Sequence, residues 1–292
     1  MAGTPGRIVA SVAGLGRVGT ALLAIGLAAG GVVLVTDGVG SPGEVAVVPA
    51  LVATCAAAGP YVAPERGSVG VPAGQNLCSS GPLTVTTPGA VLDGWDLRGG
   101  VVVDAVDVVV RRSRITGDGT RPFGVVTTAS GSVRIEDTTL TGRFDEAAIG
   151  GAHWTAERVE VVGVTGDGAR AGAGSRLRAS VLSGFEPGHE VDGLELLAPD
   201  VVVEHTTVRM NERNRSAVRI DPEGGPRGPI VLRGNVLGGG EYTVHQPDAA
   251  AATVRILDNR FAHDAARAPL RIAPTTESSG NVFVDGAPLA AF

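Results

Sequence analysis

The chain has 292 residues, of which 43% are hydrophobic and only 3% aromatic, with 44 Gly and 18 Pro. That length and apolar fraction exclude a disordered chain, and abundant Gly and Val with few aromatics point to many short strands and turns rather than a helix bundle. All 24 basic residues are Arg, which excludes chemistry built on a Schiff-base or P-loop lysine, and a net charge of -6 argues against nucleic acid as a partner.

Residues 1–17 form a short tail carrying Arg7 and Arg17. Residues 18–35 then read VGTALLAIGLAAGGVVLV without a charge. As a helix this run rises about 27 Å, close to the hydrocarbon thickness of a bilayer. Arg on its amino-terminal side predicts that everything after it lies outside the cell. An uncleaved anchor predicts a single-pass membrane protein, held by this helix; a cleaved signal peptide predicts a secreted one; a buried soluble helix is the third alternative. Residues 36–81 mix Gly, Pro, Ala and Val and read as a tether and amino-terminal cap. Cys55 and Cys78 are the only cysteines. In an exported chain they are expected to pair as one disulfide, with two free buried thiols as the alternative.

From residue 82 to 292 a ten-residue line recurs. It is apolar at positions three and eight, small or polar at six, and often Gly at ten. AVLDGWDLRG starts at Ala90, VVVRRSRITG at Val108, VRIEDTTLTG at Val133, WTAERVEVVG at Trp154 and SRLRASVLSG at Ser175. VVVEHTTVRM starts at Val201, IVLRGNVLGG at Ile230, VRILDNRFAH at Val254 and TESSGNVFVD at Thr276. These nine copies start 18 to 29 residues apart. Each reads as two short strands around a polar turn, and the late Asn235, Asn259 and Asn281 are expected to stack. A second alternating segment follows most copies, such as DGLEL from Asp192 and SAVRI from Ser216. The expectation is an all-β fold: a solenoid of about nine rungs, each with three strands pairing in parallel with the next rung.

Several stretches carry a resemblance: PGAVLDGWDLRGGVVV, VVVRRSRITG, AAIGGAHWTAERVEV, GHEVDGLEL and NVLGGGEYTV. They resemble the right-handed single-stranded parallel β-helix family, the pectate-lyase-like fold, over about residues 82–286. The resemblance implies the fold closely and the activity loosely, because many chemistries use this coil.

On the second segment the residues between apolar neighbours are Arg170, Glu195, Arg219, His245 and Arg271. On successive rungs they are expected to stand in a row about 5 Å apart. Arg170, Glu195 and Arg271 are the candidate binding residues for an extended, acidic extracellular polysaccharide, since the Arg fork suits carboxylates. The plainer alternative is a solvated ladder in which Glu195 bridges Arg170 and Arg219. The densest polar cluster is GHEVDGLE, with His189, Glu190, Asp192 and Glu195. Compared with the polygalacturonases of this fold, Asp192-Gly193 matches their first acidic element, but Asn214-Arg215-Ser216 stands where a paired acid is required, which argues against hydrolysis. A lyase or epimerase asks for less. Pectate lyases of this fold use an Arg base with Ca²⁺, and the resemblance points to Arg219 as base, with His245 or His189 as alternatives. Glu190, Asp192, Glu195 and Asp221 are then the candidate oxygen ligands for Ca²⁺, or else carboxylates that satisfy turn amides. Asp118 and Asp167 read as turn residues, and His153, His205 and His263 as structural or loop residues. Trp95, Trp154 and Tyr242 are too spread to form a sugar platform. The two functions expected are a carbohydrate-active enzyme and a non-catalytic glycan-binding or structural surface module, in either case a monomer.

Overall fold

Short alternating segments separated by turns cannot bury a face alone, so each must stack on a copy of itself. In a computed structural model, which describes residues 46–48, 52–54, 69–187, 191–211, 213, 215–222, 228–247 and 253–289, that stacking is complete. Every turn of the chain contributes one strand to each of three sheets, and all strand pairs are parallel, three strands apart in sequence. The protein is a parallel β-solenoid with no helix among the described residues.

Each sheet carries ten strands among the described residues, which differs from the nine rungs expected from the repeat. The added turn lies at the front: Ala46–Val48, Val52–Thr54 and Cys78–Ser80. A long connection separates its second and third strands and breaks the ten-residue line, so the repeat is invisible there. Gly70 N–H donates to Arg158 O at 2.8 Å and Val71 N–H to Thr139 Oγ1 at 3.0 Å. The chain entering Cys78–Ser80 therefore lies across the outer face of the third sheet. Cys78 is disulfide-bonded. Cys55, the other cysteine of the chain, lies outside the described residues, as do the tail 1–17 and the apolar run 18–35. No helix among the described residues is long and apolar enough to cross a membrane.

The core is a set of aliphatic columns. Leu92, Val110, Ile135, Ala156, Leu177, Val203, Leu232 and Ile256 pair turn by turn in the second sheet. Leu97, Ile115, Leu140, Val161, Leu182, Val208, Leu237 and Phe261 do so in the third. All are buried, so each contributes roughly 1.5–3 kcal/mol of apolar burial for its larger side chains.

The bend between these sheets falls at position five of the line. Gly94, Arg112, Asp137, Arg158, Ala179, His205, Gly234, Asp258 and Gly280 all have φ between 47° and 78°. A left-handed residue turns the chain sharply without a long loop. The next position then closes the corner. Its side-chain oxygen accepts a hydrogen bond from the backbone N–H one turn earlier: Ser113 Oγ from Trp95, Asn235 Oδ1 from Thr206, Asn259 Oδ1 from Asn235 and Asn281 Oδ1 from Asn259, at 2.9–3.0 Å. The polar sixth position is thus a ladder that satisfies amides which the bend takes out of the sheet.

Candidate functional site

The first sheet carries the site. Its inward column, Leu83, Val101, Val125, Ile149, Ala169, Leu194, Val218, Val244 and Leu270, is buried throughout. Alternation turns the neighbouring position outward. The strand registers pair Arg170 with Glu195, Glu195 with Arg219, Arg219 with His245 and His245 with Arg271. The row read from the sequence is therefore one continuous line across five turns, with steps of about 4.8 Å. The connections beside its middle are long: 184–193 and 210–217 lead into the strands of Glu195 and Arg219, and 221–229 and 246–253 leave those of Arg219 and His245.

The row is internally paired at one end. Arg170 bonds Glu146 through Nη1, while its Nε meets Asp167 Oδ2 at 2.6 Å and Glu195 Oε2 at 3.1 Å. Glu195 Oε1 lies 3.8 Å from Arg219 Nε, and Arg219 Nη2 lies 2.8 Å from Asp221 Oδ2. The bond to Asp221 pushes the Arg219 pKa above its ordinary value, despite partial burial. Arg219 Nε is covered and has no hydrogen-bond partner.

The other end is open. No carboxylate among the described residues lies within ion-pair distance of Arg271, whose guanidinium sits 5.4 Å from the centre of the Tyr242 ring. The His245 ring is 5.3 Å from that of Tyr242. Burial, and then the charges of Arg271 and Arg219, hold the His245 pKa below the usual histidine value. His245 Nε2 is covered and makes no hydrogen bond. The arrangement is a neutral imidazole between two guanidinium groups, suited to receiving a proton from a carbon whose neighbouring carboxylate an Arg holds.

Asp167, which the sequence reading assigns to a turn, belongs to this cluster. It is 4% exposed, and burial pushes its pKa up to about 7, with Glu195 and Asp192 adding negative charge nearby. The hydrogen bond from Asp192 N–H and the charge of Arg215 draw the other way, but burial prevails. Asp167 Oδ1 accepts from Asp192 N–H at 2.8 Å, and Asp192 Oδ1 accepts from Ser216 N–H at 2.7 Å. Burial likewise raises the pKa of Asp192. The signal lay in the paired DGARA and DGLEL segments, which put Asp-Gly at the same place on successive turns. Glu146 carried no such signal, because its part depends on where Arg170 reaches across a turn.

The expected Ca²⁺ set fits poorly where it is described. Asp192 faces a backbone amide, and Glu195 and Asp221 face the Arg219 guanidinium, which occupies the place a cation needs. No group of three or more His, Cys, Asp or Glu able to hold a metal forms among the described residues. Glu190 and His189 lie outside the described residues. Of the remaining residues, Trp95 and Trp154 are buried in the core. His153 and His205 sit at left-handed corners with φ of 54° and 51°, and His263 pairs with Asp285 at 3.0 Å at the carboxyl end. Asp118 accepts from Thr120 N–H at 2.9 Å, as a turn residue does.

No family model, curated protein or solved structure matches this chain.

Proposed function

We propose that this is a carbohydrate-related β-helix of the pectate-lyase-like kind, acting outside the cell as a lyase or epimerase on an acidic polysaccharide. The observation that carries the reading is His245, neutral and in register between Arg219 and Arg271. The apolar run 18–35 supports export, either as an anchor or as a leader.

A uronate carboxylate bound by Arg219 or Arg271 acidifies the C5 proton, and His245 takes that proton through Nδ1, since its Nε2 is covered. In elimination the C5 electron pair forms the C4–C5 double bond, the C4–O bond breaks, and the leaving oxygen is protonated by solvent. In epimerisation a proton returns to C5 from the other face. The ion pairs of Arg219 keep it protonated, so the base is His245 and Arg219 holds the carboxylate. No step runs through Ca²⁺. Because a base works deprotonated and the pKa of His245 is lowered, activity should be lost on acidification at a lower pH than an ordinary histidine base would lose it.

The test is to incubate the full chain with a panel of uronate polymers, with and without Ca²⁺. Unsaturated product is followed by absorbance, and C5 exchange by deuterium uptake. His245→Gln should lower turnover by about 10²–10⁴-fold with the fold retained. Neither product nor exchange from any polymer would remove the enzymatic reading. A second reading, a non-catalytic glycan-binding surface, is favoured by the closed run of ion pairs from Glu146 to Asp221. It requires binding without turnover.

A further inference from the structure

The charges of the row have a period of their own. Arg stands on every second turn, at Arg170, Arg219 and Arg271, with Glu195 and His245 between. Two turns advance about 10 Å along the face. That is close to the advance of two pyranose rings in an extended glycan, so a chain laid along the row meets one turn per sugar and one Arg per disaccharide.

The intervening positions discriminate. Glu195 is an anion beside Arg219, so a carboxylate on the sugar facing it meets like charge. His245 is held neutral by burial and its Arg neighbours, so it offers a carboxylate no counter-charge. Arg170 is held by three carboxylates, Glu146, Asp167 and Glu195, whereas Arg219 is hydrogen-bonded by Asp221 alone and Arg271 pairs with no carboxylate among the described residues, so Arg219 and Arg271 are the two less satisfied positions. A homopolyuronate presents a carboxylate at every step and collides with this order. A polymer in which a uronate alternates with a neutral sugar matches it.

We infer that the ligand of this face is an alternating acidic glycan, carrying one carboxylate per disaccharide, with successive carboxylates on Arg219 and Arg271. The inference rests on the glycan reading above and narrows it.

The experiment measures equilibrium binding of the full chain to hyaluronan and heparosan oligosaccharides, and to polygalacturonate and alginate oligosaccharides of equal length. The alternating polymers should bind about tenfold tighter or more. Arg219→Ala and Arg271→Ala should each weaken that binding about tenfold, with the β-sheet circular dichroism unchanged. Glu195→Gln should raise affinity for the homopolyuronates about tenfold. Equal or tighter binding of the homopolyuronates to the unaltered protein overturns the inference and leaves the acidic-glycan reading standing. Binding of none of the four overturns both.

Discussion

One outward row of the first sheet has two unlike halves. In the earlier turns it runs Thr84, Val102, Val126 and then Gly150, and in the later turns Arg170, Glu195, Arg219, His245 and Arg271. Beneath both halves the inward column is the same aliphatic stack. The connections differ as well: 128–132 and 151–153 leave the earlier strands, against 221–229 and 246–253 later. The coil needs only the inward residues and the corners, so the outward row is free to carry chemistry in one half and none in the other.

The comparison breaks first if the core is not shared. Ile149→Ala in the earlier half and Leu194→Ala in the later half should each cost about 2–5 kcal/mol in urea unfolding. The outward Val126→Thr should change stability by less than about 1 kcal/mol. A large loss from Val126→Thr would mean that the outer face also holds the coil together.

The corner ladder gives the next test. Asn235 accepts from Thr206 N–H and donates to Val203 O and Asn259 Oδ1, all at 2.9 Å. Thr138, its counterpart in the earlier half, accepts from Ser113 N–H at 3.4 Å and donates to Glu136 O at 2.7 Å. Asn235→Ala should cost about 2–3 kcal/mol, and Thr138→Ala about 1 kcal/mol. Equal losses would show that the extra bonds of Asn add nothing.

Asp167 should give the charged half a pH dependence that the other half lacks. Its carboxyl titrates near 7 in the fold and near 3.8 unfolded. The folded state therefore binds a proton more tightly. The contribution to stability is full below pH 3.8 and is lost as pH rises through 7. Asp167→Asn should remove about 1–3 kcal/mol of that slope between pH 5.5 and 8.5, read from melting curves. An unchanged slope would place the titration elsewhere.

The smallest effect belongs to a corner. Ala179 holds φ at 47°, where a Cβ is unwelcome. Ala179→Gly should raise stability by about 0.5–1 kcal/mol in calorimetry. A loss would mean that the added freedom of the unfolded chain outweighs the relieved strain.

The repeat was legible because stacking like on like forces identical demands on every turn. Val110, Ile135 and Leu177 could be placed in one column, and Arg170 through Arg271 in one row, from spacing alone. The first turn was not legible, since the connection between Val52–Thr54 and Cys78–Ser80 hides its phase. The left-handed fifth position was masked by Arg112, Arg158, Ala179 and His205, which do not advertise positive φ as Gly94 does. In the sequence Asp167 is indistinguishable from an ordinary turn residue, because Asp-Gly is common in bends, and only burial sets it apart.

Periodicity by itself determined that the chain coils, which residues face inward, and that five polar side chains share a line. Side-chain reach and burial decided the rest. Arg170 is tied to Glu146 and Asp167, His245 is neutral beside an open Arg271, and Asp192 serves a backbone amide. A one-dimensional repeat sets which positions are neighbours, but the charge each one presents depends on solvent exclusion and on partners in adjacent turns, which exist only once the turns are stacked.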